Sequence, residues 1–134
     1  FSEIDSVLFS GDTLFSLGCG RVFEGTYEQM FNSLEKIKKL PKNTKIYCGH
    51  EYTNNNGKFC IKIDKDNLNL KKRIKEVKSK IDLKEPTIPT TLQEEIETNI
   101  FLRYDDKKIK KSMGIDNASN IEVFKKLRNL KDQF

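Results

Sequence analysis

The sequence has no tryptophan, a single histidine, three prolines, three cysteines and no long apolar run. Each scarcity excludes something. With one imidazole, His50, the chain cannot build a multi-histidine site or a Cys2His2 finger from its own residues. Cys19, Cys48 and Cys60 are odd in number and include no CxxC pair, so a reducing compartment is expected rather than a disulfide framework. The favoured reading makes them three small buried hydrophobes. The alternative is oxidation sensitivity at Cys19 and Cys48, which sit beside the motifs described below. No apolar run approaches the roughly 20 residues that span a bilayer, so no membrane partner is expected. Nothing resembles a signal peptide and a cytoplasmic protein is expected. The first residue is Phe1 rather than Met, which leaves open a targeting segment upstream.

Charge is abundant instead. Charged residues make up 34% of the 134, apolar residues 36%, and the formal net charge is +5. That balance fits a surface-rich protein with a modest core, forming one domain or two small units. A basic surface can attract nucleic acid, phosphate groups or a small anionic substrate. Here the excess lysine is spread along helices with glutamate and aspartate between. No glycine-arginine tract, finger spacing or aromatic RNA-binding motif accompanies it, so a solvated surface is favoured and no specific nucleic-acid partner is expected.

Along the chain, Ile4 to Ser10 carries Val7, Leu8 and Phe9 and then meets Gly11, which reads as a short buried strand and a turn. Residues 16–25 show no apolar period and read as a long loop. Thr26 and Gln29 have capping-box spacing, and Tyr27, Met30, Phe31, Leu34 and Ile37 follow at helical spacing until Pro41. Thr44 to Cys48 is a second strand, closed by Gly49. A strand, a helix and a strand in this order suit one half of an α/β sandwich. After His50 the character changes. Asn54, Asn55, Asn56 and Gly57 read as a polar opening segment, and Leu70, Ile74, Val77 and Ile81 line one face of a lysine-rich helix. Glu85-Pro86-Thr87-Ile88-Pro89 breaks the pattern, because neither proline can continue a helix. Two more capping boxes begin at Thr91 and Ser119, the second opening a helix with Ile121, Phe124, Leu127 and Leu130 on one side. Phe101 and Tyr104 are expected to pack the core. Residues 105–114, rich in lysine, read as a mobile connection.

Two words carry the chemistry. Gly11-Asp12-Thr13-Leu14-Phe15 follows the first strand, and Cys48-Gly49-His50-Glu51-Tyr52-Thr53 follows the second. Each places a metal-capable side chain, Asp12 or His50, just past a strand end. A rigidly held carboxylate can bridge two cations, and an imidazole on a neighbouring strand can complete a shell. Taken alone, the pair is weak: Asp-Thr after Gly is common in turns, and a lone histidine is more often structural.

GDTLF, GCG at 18–20, EGT at 24–26, CGHEYT and KDQF at 131–134 occur in one order over nearly the whole chain. In these words the sequence resembles the glyoxalase II family of the metallo-β-lactamase superfamily. The resemblance implies a thioester hydrolase that converts S-D-lactoylglutathione into D-lactate and glutathione. It implies two divalent metal ions, zinc with iron or manganese as alternatives, bridged by Asp12 and with His50 as a ligand of one. A metal-bound hydroxide would attack the thioester carbonyl, and no side chain need act as nucleophile. Substrate contacts would fall on Arg21, on Phe23 where the family has a tyrosine, on Tyr52, and on Arg128 and Lys131, which match a basic pair gripping a glutathione carboxylate. Phe23 forfeits a hydroxyl contact. Read without the family, Arg128 and Lys131 are ordinary cations near a helix C-terminus.

The superfamily's His-x-His-x-Asp-His ligand run is absent from this sequence. The expectation is therefore the C-terminal half of a longer enzyme: residues 1–50 as the end of an αββα metal domain, and residues 51–134 as a small all-helical substrate-binding domain. Such a half should be inactive alone, have an incomplete metal site, expose sheet surface to its missing N-terminal half, and have a tendency to self-associate. Rival readings are a persulfide dioxygenase-like relative, against which the helical extension ending in KDQF argues, a basic interaction module without catalysis, and a fragment that binds glutathione without turning it over.

Overall fold

The structure, a computed structural model, describes residues 1–22 and 27–134. Phe23, the EGT word at 24–26 and the Thr26 cap therefore lie outside the described residues. Five strands and six α-helices follow in order among the described residues: β1 (Val7–Gly11), β2 (Leu14–Phe15), β3 (Gly18–Cys19), α1 (Tyr27–Lys38), β4 (Lys45–Cys48), α2 (Thr53–Ile63), α3 (Leu68–Asp82), β5 (Thr90–Thr91), α4 (Leu92–Thr98), α5 (Lys107–Ser112) and α6 (Asn120–Asp132). A single 3-10 turn, Ile100–Leu102, links α4 to α5. The molecule is mixed α/β. No helix is long and apolar enough to cross a membrane among the described residues.

β1 runs parallel to β4, and β5 pairs with β4 antiparallel, so β4 is the central strand of a three-stranded sheet. β2 and β3 form a separate hairpin, turned by Ser16 and Leu17, with Leu17 at φ 61°. This corrects three expectations. The segment after residue 15 is not all loop, because Gly18 and Cys19 pair with Phe15 and Leu14. The second half is not wholly helical, since Thr90 and Thr91 join the sheet of the first half. The lysine-rich stretch forms α5, whose Asp106 cap accepts from the amides of Lys108 at 2.9 Å and Ile109 at 3.1 Å while Ile109 is fully buried.

The helices follow their sequence signals closely. Thr91 and Ser119 each complete a capping box, as their spacing indicates. Leu70 and Val77 face the core from α3, while Ile81, at the end of the same row, turns partly outward. On α6 the buried face is Val123, Phe124 and Leu127, shifted from the expected row because Leu130 reaches the surface. Asn56 and Gly57 are buried inside α2 instead of lying in a polar lead-in. One hydrophobic cluster, including Leu17, Leu34, Ile46, Phe101, Tyr104 and Phe124, runs through both halves of the chain. The Tyr104 hydroxyl donates to Glu35 on α1.

A buried ion pair joins these parts. Arg73 of α3 lies 2.5 Å from the Glu95 carboxylate of α4, and the Glu95 side chain has no solvent exposure. The guanidinium also donates to the hydroxyls of Thr98 at 2.7 Å, Ser16 at 2.6 Å and Thr90 at 3.0 Å. Glu95 accepts from the Leu17 amide at 2.8 Å, from the Thr90 hydroxyl at 2.6 Å and from Asn99 at 3.0 Å. Two helices, the β5 strand and the turn of the β2–β3 hairpin thus meet at one charge pair.

The outer side of the sheet is less covered. Phe9 is 75% exposed, its ring 5.5 Å from that of Tyr47 on the adjacent strand.

Removing one member of a buried pair leaves the other charge desolvated and unmatched, at a cost of about 3–5 kcal/mol. Arg73→Met is expected to lower unfolding free energy by that amount in urea titrations. Arg73→Lys should recover only part, since an ammonium cannot reproduce the fork that reaches three hydroxyls.

Candidate functional site

The two metal-capable residues meet at the same end of the parallel pair. Strand register slips between Phe9 and Gly11, a bulge that lets the chain turn at Gly11, where φ is +53°. Asp12 follows at once. On the neighbouring strand Gly49 donates to the Gly11 carbonyl at 2.8 Å, and His50 comes next. The His50 Nε2 atom then lies 3.4 Å from Asp12 Oδ1, with the side chains 50% and 72% exposed. The sequence placed each residue past its strand; the parallel β1–β4 pairing brings them together.

Two glycines permit this convergence. A Cβ at Gly20 would stand 1.9 Å from the Asp12 carbonyl oxygen, a backbone atom that cannot rotate away. A Cβ at Gly49 would come within 2.9 Å of Asp12 Oδ1 itself. The last glycine of GCG is therefore a steric requirement of the Asp12 position, and the glycine before His50 leaves room for the Asp12 carboxylate.

Aromatic rings orient the imidazole. His50 stacks on Tyr52, with ring centres 4.9 Å apart and planes 10° off parallel, and Phe15 meets both edge-on, at 6.0 Å and 5.2 Å. Tyr52 is half exposed, with its face given to His50.

The basic residues form a second group beside the GCG strand. Arg128 is 3% exposed, contrary to an exposed helix-end residue. It donates to the carbonyls of Cys19 at 2.6 Å and Gly20 at 3.2 Å, and holds Asp132 through Nε at 3.0 Å and Nη2 at 2.8 Å. Arg21, largely exposed, lies 3.9 Å from the same Asp132 carboxylate. Lys131 completes the group. Partial burial, reinforced by the nearby charges of Arg128 and Arg21, pulls its ammonium below the usual lysine range. Sequence reasoning named the cations but missed Asp132, which stands inside the KDQF word and pairs with both Arg128 and Arg21.

Asp12 and His50 suit a metal as hard carboxylate and borderline imidazole donors converging on open space. Among the described residues no group of three or more His, Cys, Asp or Glu side chains could hold an ion. The pair fits part of a shell, where tight sites use three or four protein ligands. Cys48 does not extend it: its thiol donates to the His50 carbonyl at 3.3 Å, and burial pushes its pKa up. Burial also pushes Cys19 up to about 11 and Cys60 up to about 12. A cleft of about 780 Å³ lies elsewhere, lined by Arg103, which pairs with Asp64 and Asp106. None of the sequence-identified site residues lines it.

Two outcomes follow from this geometry. Gly20→Ala should displace the Asp12 backbone, seen as a lowered melting temperature that Cys19→Ala does not match in kind, because there a side chain is removed and none is forced in. The thiols carry a pH signature. Unfolded cysteines ionise near 9.0, whereas folded Cys19 and Cys60 hold their protons to about 11 and 12. Their contribution is therefore complete below pH 9 and is lost as pH rises through that window. Urea midpoints should fall more steeply from pH 8.5 to 10.5 in the native chain than in Cys60→Ala.

Comparison with known proteins identifies the family. The family model described as "Hydroxyacylglutathione hydrolase C-terminus" matches residues 51–134. A protein of Pelagibacter ubique (strain HTCC1062) named hydroxyacylglutathione hydrolase is 57% identical over 127 residues, covering 95% of this chain and 47% of that protein. Proteins of the same name from Brucella ovis and Brucella canis are each 49% identical over 128 residues, covering 96% of this chain and 50% and 49% of theirs. The chain spans about half the length of the curated relatives it matches. With 84 of its residues inside the family model, the chain belongs to the hydroxyacylglutathione hydrolase C-terminus family.

Proposed function

We propose that this chain serves as the C-terminal half of a glyoxalase II-type thioester hydrolase, acting on S-D-lactoylglutathione and releasing D-lactate and glutathione. The observation that carries this reading is the meeting of Asp12 and His50, 3.4 Å apart on adjacent parallel strand ends, in a chain of that family. Residues 1–50 would close an αββα metal domain and residues 51–134 would form the substrate-binding part, a division supported by the family model's start at residue 51. The exposed face bearing Phe9 and Tyr47 suits the packing surface for the other half of the sandwich. A cytoplasmic setting is part of the same proposal.

In this reading Asp12 and His50 hold a pair of divalent ions, zinc first and iron or manganese as alternatives, with further ligands supplied by the preceding half. Such ions lower the pKa of water toward neutrality and polarise a carbonyl. The chain's own residues do the rest. Arg21, exposed, and Lys131, half-buried, would meet the carboxylates of the glutathione moiety, and Tyr52, half exposed, supports His50 with its ring. Arg128 fixes the GCG carbonyls and so the place from which Arg21 reaches out. Hydrolysis breaks the C–S bond, water supplies the acyl oxygen, and the thiolate leaves to be protonated. Phe23, at the position where the resemblance implies a substrate contact, offers no hydroxyl.

Activity should therefore require both halves. The 134-residue chain alone is expected to hydrolyse S-D-lactoylglutathione no faster than buffer, and the longer parent to turn it over in a chelator-sensitive manner. Retained turnover and metal content in the parent bearing Asp12→Ala would sink the assignment. Lys131→Ala should mainly raise KM, since a carboxylate remote from the reacting carbonyl is held alike in ground and transition states. Loss of one charge-assisted contact is worth roughly 1.5–3 kcal/mol, or about ten- to a hundred-fold in kcat/KM. Arg128→Ala should differ by also lowering the melting temperature, because its buried bonds to Cys19 and Gly20 disappear.

A further inference from the structure

The connection between β4 and α2 contains Gly49, His50, Glu51 and Tyr52, and carries the only imidazole of the chain. Backbone bonds hold its two ends: Gly49 donates to Gly11 at 2.8 Å, and Tyr52 accepts from Asn56 at 3.0 Å. The middle is held from elsewhere. Thr87, from the proline-flanked segment between α3 and β5, donates its amide to Glu51 Oε1 at 2.9 Å, and its hydroxyl donates to the same oxygen. The Thr87 and Thr53 hydroxyls stand 2.7 Å apart, and both residues are buried. Pro86 precedes Thr87, and three residues further on Thr90 pairs with Ile46 in the sheet, so the segment is anchored along β4 as it passes.

We propose that Glu51 and Thr87 form a clasp that sets the direction of His50, making Glu51 a positioning residue of the metal site and not one of its ligands. The inference rests on the reading of Asp12 and His50 as ligands. Two consequences follow from the contacts. Glu51 stands next to His50 and is, by residue type alone, a third metal donor; both Thr87 donors engage one of its oxygens and turn the carboxylate toward the 86–89 segment. The same bonds restrain the peptide that follows His50, which narrows the positions its ring can take against Asp12. The clasp also ties the His50 loop to a segment lying between two helices of the second half, so the substrate-binding part holds a ligand of the metal part in place. Groups next to metal ligands that fix their orientation commonly change metal affinity or activity by 10–100-fold when removed.

The test uses the 134-residue chain and the longer parent. In the chain, His50 gives a single imidazole signal by NMR, free of overlap because there is no other histidine. Thr87→Val keeps the shape and removes the hydroxyl; Thr87→Ser restores it; Glu51→Ala and Glu51→Gln alter the acceptor on an exposed side chain and leave the core untouched. The expected result is a shifted or broadened His50 signal in Thr87→Val and Glu51→Ala, near-native in Thr87→Ser and intermediate in Glu51→Gln. In the parent, the same order should appear as a roughly tenfold loss of zinc affinity in chelator competition, with kcat lowered and KM for the thioester unchanged. An unchanged His50 signal and unchanged zinc affinity in both Thr87→Val and Glu51→Ala would overturn the clasp. Should Thr87→Val fail to fold, the two Glu51 variants decide the matter alone. His50→Ala in the parent separates the layers. If it leaves zinc affinity intact, the ligand reading falls; if it lowers zinc affinity while the clasp variants do not, only the clasp falls.

Discussion

The ion pair between Arg73 and Glu95 holds together parts of the chain that are far apart in sequence and that the site needs side by side. A guanidinium and a carboxylate removed from water lose several kcal/mol of solvation each, and their mutual attraction offsets this only when the remaining donors and acceptors are matched. Here they are matched from three places, by Ser16 and Leu17 of the hairpin turn, Thr90 of β5, and Thr98 and Asn99 at the end of α4. No buried side-chain nitrogen or oxygen among the described residues lacks a partner. The network therefore specifies an arrangement more than it adds net stability: a hairpin or strand placed otherwise would strand a buried charge.

That specification reaches the site through short covalent links. The turn held by Glu95 leads into β3, whose Gly18 and Cys19 continue to Gly20, and Gly20 packs on the Asp12 carbonyl with no room for a side chain. On the other flank, Arg128 grips the carbonyls of Cys19 and Gly20 from α6. Helices α3, α4 and α6 thus fix one strand from both sides, and that strand fixes Asp12. Leu17 adopts its left-handed conformation at the point where its amide meets Glu95 and its carbonyl accepts from the Cys60 thiol at 3.2 Å, so the local strain is bound by contacts on both sides of the residue.

What the sequence announced and what it concealed divide along physical lines. Capping boxes at Thr91 and Ser119, the helix stops, and the buried aromatics Phe101 and Tyr104 are local or periodic signals, and the structure has them where the residues indicate. Strands of two residues, such as β3 and β5, are too short to show an alternation, and they form because partners across the chain present paired backbone groups. A six-residue helix such as α5 has little periodicity; Ile109 anchors it through tertiary burial. The site shows the same division. Asp12 and His50 were legible as words at strand ends, while the Thr87 contact to Glu51 and the burial of Arg128 depend on contacts between residues 36 and more than 100 positions apart. No window along a sequence displays such a pairing.

The two basic side chains in the KDQF region show why position on a helix does not settle a role. Arg128 and Lys131 are one turn apart on α6, yet the first is buried and paired with Asp132 while the second is only half-buried. A guanidinium can be buried because its fork satisfies several acceptors at once; here these are two carbonyls and a carboxylate, with the Phe101 ring 5.1 Å away. An ammonium has no such planar fork and stays hydrated near the surface. Its partial burial, and after that the charges of Arg128 and Arg21, then depress its pKa, with Asp132 as a partial counterweight. Three cations around one carboxylate leave an excess of positive charge at the edge of the GCG strand. On the proposed reading, a substrate carboxylate would relieve that repulsion from the side of Arg21, which is exposed, and Lys131, which is half-buried. The buried arginine thus holds the strand, and Arg21 is left as the open cation of the group with Lys131 half-buried beside it.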